Sequence, residues 1–124
     1  MVDYRLTKAE SSLAEIIWSN APLPSAKLVS LAADNLGWKR TTTYTILKKL
    51  CEKGIAANDS AMVSALLTHD EFLAGQSSQF VENSFGGSLP RFVTAFIDGG
   101  KLTKEQAAEL RRLIDEFDDG EQHG

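Results

Sequence analysis

One short segment, WKRTTTYTILKKL at residues 38–50, combines side-chain hydroxyls with cations at helical spacing. Hydroxyls can hydrogen-bond to the edges of bases, and threonine methyl groups can pack on a thymine methyl. Lys and Arg side chains are long enough to reach phosphates beside them. This chemistry suits a helix in the major groove of duplex DNA. The candidate contact residues are Lys39, Arg40, Thr41, Thr42, Tyr44, Thr45, Lys48 and Lys49.

The same segment also fits a solvated amphipathic helix with capping threonines, because basic faces are common on surface helices. The distribution of charge bears on this choice. The whole chain has a net charge of −4, made up of +2 over residues 1–67 and −6 over residues 68–124. Residues 38–53 hold five basic side chains and one acid, a local charge of +4. Such a concentrated patch, rather than the overall charge, is what meets a phosphate backbone.

Three helices are predicted before residue 55, in a chain of 124 residues with the composition of a globular protein. The third is the opening segment, and its inward face is Ile46, Leu47 and Leu50. The first helix begins at a capping pair, Thr7 and Glu10, and is ended by the two prolines within 20–25. The second begins near Ser25 and ends at Gly37, and the third ends at Gly54.

The next stretch, IAANDSAMVSALL at 55–67, places the turn residues Asn58, Asp59 and Ser60 between two short apolar flanks. It predicts a two-stranded hairpin. Three helices followed by a hairpin is the order of a winged helix-turn-helix domain. We therefore predict a mainly α fold in which residues 1–67 form a winged helix DNA-binding domain with a small two-stranded wing.

Three further amphipathic helices are predicted in the acidic half, starting at the caps Thr68, Ser88 and Thr103. Short helices of this kind bury little apolar surface alone, so we expect residues 68–117 to pair with a second copy of the chain rather than fold back on the first domain. Residues 118–124 are expected to be a disordered acidic tail. The expected dimerisation residues are Leu89, Phe92, Val93, Phe96, Ile97, Leu110, Leu113, Ile114 and Phe117.

The stretches LTKAESSLAEIIW and GWKRTTTYTILKKLCEKGI, followed by FLAGQSSQFVENSFGGSLPRFVTAF and LTKEQAAELRRLIDE, resemble the BlaI/MecI/CopY family of repressors over residues 6–117. The resemblance implies a homodimeric winged-helix repressor that binds a palindromic operator in double-stranded DNA. It also implies groove contacts from Thr41, Thr42, Tyr44 and Thr45 and a phosphate contact from Lys49. Lys48 is added from helical geometry.

The chain departs from that family at several places. Lys39-Arg40 stand where many members have a serine cap followed by proline or alanine, and the wing at 55–67 has no basic residue. The penicillinase branch is inactivated by proteolysis at an Asn-Phe bond, where this chain has Ala95-Phe96. The copper branch has a cysteine-rich C-terminal metal site, whereas DEFDDGEQHG contains no cysteine. The inducing signal, and any sensor or protease partner, is left open.

Other function classes find less support in the sequence. No nucleophile–base arrangement is present, so we expect that the protein is not an enzyme. We also expect no metal or cofactor, because His69 does not share a helix face with its acidic neighbours Asp70 and Glu71. Cys51 is the single cysteine and is expected to be an apolar filler rather than a redox sensor. The chain lacks a secretory signal and a membrane span, which predicts a cytoplasmic protein. The main alternative is a helical protein-interaction adaptor that does not bind DNA.

Overall fold

A computed structural model describes residues 1–123, and their side chains as far as Gly120. The chain forms six helices and three short strands within these residues. In chain order they are α1 Lys8–Asn20, β1 Leu23–Pro24, α2 Ser25–Leu36, α3 Arg40–Glu52, β2 Ala56–Asp59, β3 Met62–Ala65, α4 His69–Phe85, α5 Leu89–Asp98 and α6 Lys104–His123. The mainly helical fold and its winged helix character are as predicted.

Local hydrogen bonds begin most of the helices at the predicted residues. At α1 the Thr7 hydroxyl accepts from the Glu10 backbone N–H at 3.1 Å, and the Glu10 carboxylate accepts from the Thr7 N–H at 2.8 Å. The same reciprocal pair starts α4 at Thr68 and α6 at Thr103. Ser88 caps α5 by accepting from the Arg91 N–H. Because each cap involves residues three apart, it is recognisable in the sequence.

The predicted two-stranded hairpin is formed by β2 and β3, and a third antiparallel strand that was not predicted, β1, joins it in the order β1-β3-β2. The additional strand, β1, pairs Leu23 with Val63 and Pro24 with Met62. Leu23 is buried, and the backbone N–H of Ser25 donates to the Ala61 carbonyl at 2.8 Å. A two-residue strand has too few positions for an alternating pattern, and proline is tolerated only at a sheet edge. The sequence therefore could not show β1.

The wing turn lies at Ser60-Ala61, so it includes only Ser60 of the three predicted turn residues. Asn58 and Asp59 are paired with β3, and Ser60 and Ala61 both have positive φ, of 50° and 64°. Two successive left-handed residues are typical of the tight turns that suit the twist of a hairpin. These positions usually hold Asn or Gly, so the residue types favoured a turn at Asn58 and Asp59 over one that includes Ala61.

The apolar core lies in the first of two compact units, Met1–Phe80 and Val81–Gly124. Helix α4 contributes Phe72, whose ring is 5.2 Å from that of Trp18, and the Trp18 indole N–H donates to the Leu67 carbonyl at 3.1 Å. The predicted domain boundary at residue 67 lies at the start of α4, whereas the compact units divide within it. The buried apolar side chains are Leu13, Ala14, Ile17, Leu23, Leu28, Ala32, Leu47, Leu50, Ile55, Ala56, Val63 and Phe72.

The second unit contains α5, α6 and the end of α4. No side chain described between residues 81 and 120 is buried. Residues 118–123, part of the segment expected to be a disordered tail, continue α6 in the structure; Gly124 lies outside the described residues. The stretch has no proline, so the helix that starts at Thr103 can continue through these mostly acidic residues.

Candidate functional site

Helix α3 turns one side toward the core of the first unit. It begins at Arg40, after Lys39, which makes no side-chain cap hydrogen bond. Thr43, Leu47 and Leu50 are buried and Ile46 is half-buried. Thr43 is fully buried, and its hydroxyl donates to the Lys39 carbonyl at 3.2 Å. The middle threonine of the three is therefore a core residue, because it lies four residues before Leu47 on the same face.

The opposite side of α3 is what we term the hydroxyl–cation face. It is solvent-accessible, as predicted: seven of its eight side chains are exposed and Tyr44 is half-buried. Within the part of the chain that the structure describes, none of its four cations takes part in an ion pair. Those charges are therefore available to an external anion. The face consists of Lys39, Arg40, Thr41, Thr42, Tyr44, Thr45, Lys48 and Lys49.

The threonine hydroxyls on this face differ in whether they can donate a hydrogen bond to an external group. The Thr45 hydroxyl donates to the Thr41 carbonyl at 2.9 Å, so only its lone pairs remain for an external donor. No side-chain hydrogen bond to another described residue engages the hydroxyls of Thr41 and Thr42. Those two hydroxyls can both donate and accept, which suits contact with base edges.

Tyr44 is held by two contacts that the sequence did not indicate. Its hydroxyl donates to the hydroxyl of Ser25, the first residue of α2, at 3.2 Å. The guanidinium carbon of Arg40 lies 5.3 Å from the centre of its ring, which is a cation–π distance. Arg40 and Tyr44 are one helical turn apart, so this pair could have been expected from their spacing. Ser25 is nineteen residues away, and nothing local points to it.

Lys53 does not belong to the hydroxyl–cation face, although the sequence counted it in the basic patch. Its ammonium group lies 2.7 Å from the Glu10 carboxylate, which is almost completely buried. Burial by itself would raise the pKa of Glu10. Hydrogen bonds from Lys53 and the Thr7 backbone, with the Lys53 charge, outweigh burial and lower that pKa. Because Glu10 neutralises Lys53, the charge of the patch falls from +4 to +3.

The wing offers no cation to DNA. Its exposed tip consists of Asp59, Ser60, Ala61 and Met62. Beneath it, burial raises the pKa of the half-buried Cys51 thiol, and the nearby acids Asp59 and Glu52 add to this against a backbone hydrogen bond from Asn58. A thiol with a raised pKa is a weak nucleophile at neutral pH.

In the second unit, α5 and α6 together form an apolar cleft of about 710 Å³. Seven of the nine predicted dimerisation residues line it; Leu113 and Phe117 do not, although both are exposed. Phe117 is the most exposed of the nine, at 65%. Large apolar side chains in such numbers at a surface mark an interaction site. The seven are Leu89, Phe92, Val93, Phe96, Ile97, Leu110 and Ile114.

Among the described residues, no helix combines the length and the apolar character needed to cross a bilayer. Over the same part of the chain, no group of three or more His, Cys, Asp or Glu side chains is placed to hold a metal ion.

Comparison with known proteins agrees with the geometry of α3 and the wing. A search of curated proteins found no match. The family model described as "Penicillinase repressor" matches residues 6–116, which is nearly the whole chain. That span includes the hydroxyl–cation face, the wing and the cleft between α5 and α6. The chain therefore belongs to the penicillinase repressor family, a family of DNA-binding transcriptional repressors.

Proposed function

We propose that this protein is a homodimeric cytoplasmic repressor that binds a palindromic operator and occludes a promoter. Residues 1–67 would bind DNA and residues 68–117 would hold two copies together. The observation that carries the proposal is the hydroxyl–cation face of α3, which is exposed and free of ion pairs in the described chain. Family membership supports the same function.

The DNA contact divides between two kinds of side chain. Thr41, Thr42 and Thr45 are short and exposed near the start of α3, where a recognition helix approaches base edges. Lys48 and Lys49 follow one turn later and suit phosphates. The wing adds at most backbone contacts, because it has no cation and its tip includes Asp59.

Self-association is supported by the second unit. No described side chain between 81 and 120 is buried, yet α5 and α6 expose a continuous apolar cleft. A unit without a core of its own is stabilised when a second copy covers that surface. Two-fold symmetry is the usual outcome for a self-complementary face. It would place two α3 helices about 34–36 Å apart, in successive major grooves of one palindrome.

DNA binding can be tested by selecting duplexes from a random-sequence library with the full chain. The affinity for the selected duplex should fall steeply with salt, since phosphate contacts release counterions. Lys49→Ala should weaken binding to all duplexes and lower the salt slope by about 1. Lys101→Ala, an exposed lysine outside α3, should have no effect. Thr42→Ala should instead relax the preference at one half-site position. Equal effects of Lys49→Ala and Lys101→Ala would contradict the proposal.

Self-association can be tested by light scattering on the full chain without DNA. Phe117→Asp should shift a dimer toward monomer, because it places a charge on the side of α6 that carries Leu110 and Ile114. Since Phe117 is 65% exposed in the single chain, this change should not unfold the protein. Ala108→Asp adds the same charge to the opposite side of α6 and should leave the dimer intact. A monomeric wild-type chain that binds no duplex would favour the adaptor function.

A further inference from the structure

Three side chains form a contact chain from the start of α3 to the start of α2: Arg40, Tyr44 and Ser25. We propose that Arg40 reads a guanine in each half-site, and that Tyr44 and Ser25 are positioning residues that hold it for this task. The inference rests on the proposed DNA-binding function and adds the class of base recognised. It also changes the role of Tyr44, from a residue that contacts a base to one that acts through Arg40.

The contact between Arg40 and Tyr44 restricts a flexible side chain. The guanidinium carbon is 5.3 Å from the ring centre, inside the range of a cation–π interaction. A guanidinium on an aromatic ring keeps its N–H groups for partners outside the ring. An arginine that is already placed loses less conformational freedom on binding than a free one.

The position of the ring is set from outside α3. The Tyr44 hydroxyl donates to Ser25, which is only 5% exposed, at 3.2 Å. The Ser25 backbone N–H in turn donates to the Ala61 carbonyl in the wing turn at 2.8 Å. The Tyr44 ring is thus connected to α2 by the Ser25 hydroxyl, and the Ser25 backbone connects that end of α2 to the wing. Because Tyr44 uses its one hydroxyl proton in this bond, it has none to donate to a base.

Guanine is the base that this arrangement fits. Its O6 and N7 acceptors in the major groove match two N–H groups of one guanidinium. Arg40 is the first residue of α3, at the end of a recognition helix that approaches base edges. Across the described chain, Lys39, Lys48 and Lys49 lie on no aromatic ring. They remain flexible point charges, which suit phosphates.

The test uses duplexes selected from a random-sequence library by the full wild-type chain. The selected half-site should contain a guanine whose replacement lowers affinity by about 5- to 100-fold. Arg40→Ala should remove that preference. Tyr44→Leu should weaken it at the same position, and Tyr44→Phe, which keeps the ring and loses only the bond to Ser25, should weaken it about two- to fivefold. Lys101→Ala, at an exposed lysine outside α3, should leave this guanine preference unchanged.

A double-mutant cycle separates positioning from an independent contact. In the Arg40→Ala background, Tyr44→Leu should cause no further loss of guanine preference, because Tyr44 acts through Arg40. Additive effects, or relaxation by Tyr44→Leu at another position, would overturn the inference and leave DNA binding standing. Selection of no duplex by the wild-type chain would overturn both. Unfolding curves identify any variant that fails to fold, in which case Tyr44→Phe decides the outcome.

Discussion

Replacing Glu10 with Gln should lower the free energy of unfolding by about 2 kcal/mol at pH 7. The Glu10 side chain is 3% exposed and lies 2.7 Å from the Lys53 ammonium, forty-three residues away. It also accepts the backbone N–H of Thr7 at the start of α1. Glutamine has nearly the same shape and can still accept from Thr7, so the change removes the charge of the carboxylate and little else.

The magnitude follows from the surroundings of the pair. A hydrogen bond to a charged group contributes about 1.5–3 kcal/mol. Lys53 is 24% exposed, so water screens part of the attraction and also solvates the ammonium once its partner is neutral. Both effects make the loss in the free energy of unfolding smaller than the ~3–5 kcal/mol expected when one partner of a fully buried pair is removed. For a chain of this length, about 2 kcal/mol corresponds to a fall in Tm of roughly 5–10 °C.

The loss should also depend on pH. The pKa of Glu10 is lowered in the folded protein from an ordinary value of 4.5. The ionised carboxylate therefore stabilises the fold above pH 4.5, and this contribution disappears as the pH falls through the folded-state pKa. The difference between wild type and Glu10→Gln should be constant from pH 8 to pH 5.5 and should shrink below pH 4.5.

Urea unfolding measures this difference in the free energy of unfolding. All variants are compared at one protein concentration, so that the effect of self-association on apparent stability is held constant. Glu15→Gln is the matched control, since Glu15 lies on the same helix, is exposed and has no ion pair among the described residues. It should change the free energy of unfolding by less than about 0.5 kcal/mol. An equal loss for both variants, or a Glu10→Gln loss unchanged down to pH 3, would refute the importance of the Glu10–Lys53 pair.

Other predictions concern backbone conformation and the thiol. Ala61→Gly should raise the free energy of unfolding by about 0.5–1 kcal/mol, because φ is +64° there and glycine adopts it without strain; a loss in urea unfolding would refute this. Gly54→Ala should lower it by about 1–2 kcal/mol, since φ is +79° and a Cβ would lie 3.0 Å from the Met1 carbonyl oxygen. Gly99→Ala, with φ of −73°, is its control and should not be destabilising. Cys51 should react with iodoacetamide several-fold more slowly in the folded than in the urea-unfolded chain, and equal rates would contradict its raised pKa.

Features formed by residues close in sequence were predictable. The capping pairs join residues three apart, so their residue types alone marked the starts of α1, α4 and α6. The exposed side of α3 followed from the same kind of spacing, because Leu47 and Leu50 place the core on one side of a 3.6-residue turn. Thr43 follows the same spacing: it lies four residues before Leu47 and is fully buried, although threonine is more often exposed.

Features that depend on distant residues were not predictable. The strand β1 exists because Leu23 packs opposite Val63, forty residues away. The tether of Tyr44 to Ser25 requires the particular crossing of α2 and α3. The predicted dimerisation residues lie between these cases. Their apolar spacing was visible in the sequence, but the position of seven of the nine in one cleft depends on how α5 and α6 pack.

The sequence by itself determined where helices begin and which side of α3 faces solvent, because both depend on hydrogen bonds and apolar spacing within a few residues. Only the tertiary structure decided which charges and hydroxyls remain available on that side. Glu10 neutralises Lys53, and the Ser25 hydroxyl accepts the hydrogen bond of the Tyr44 hydroxyl, through contacts between different elements. Charge and hydrogen-bonding capacity are shared among neighbours in space, so a count of residue types along the chain cannot show which groups are already paired.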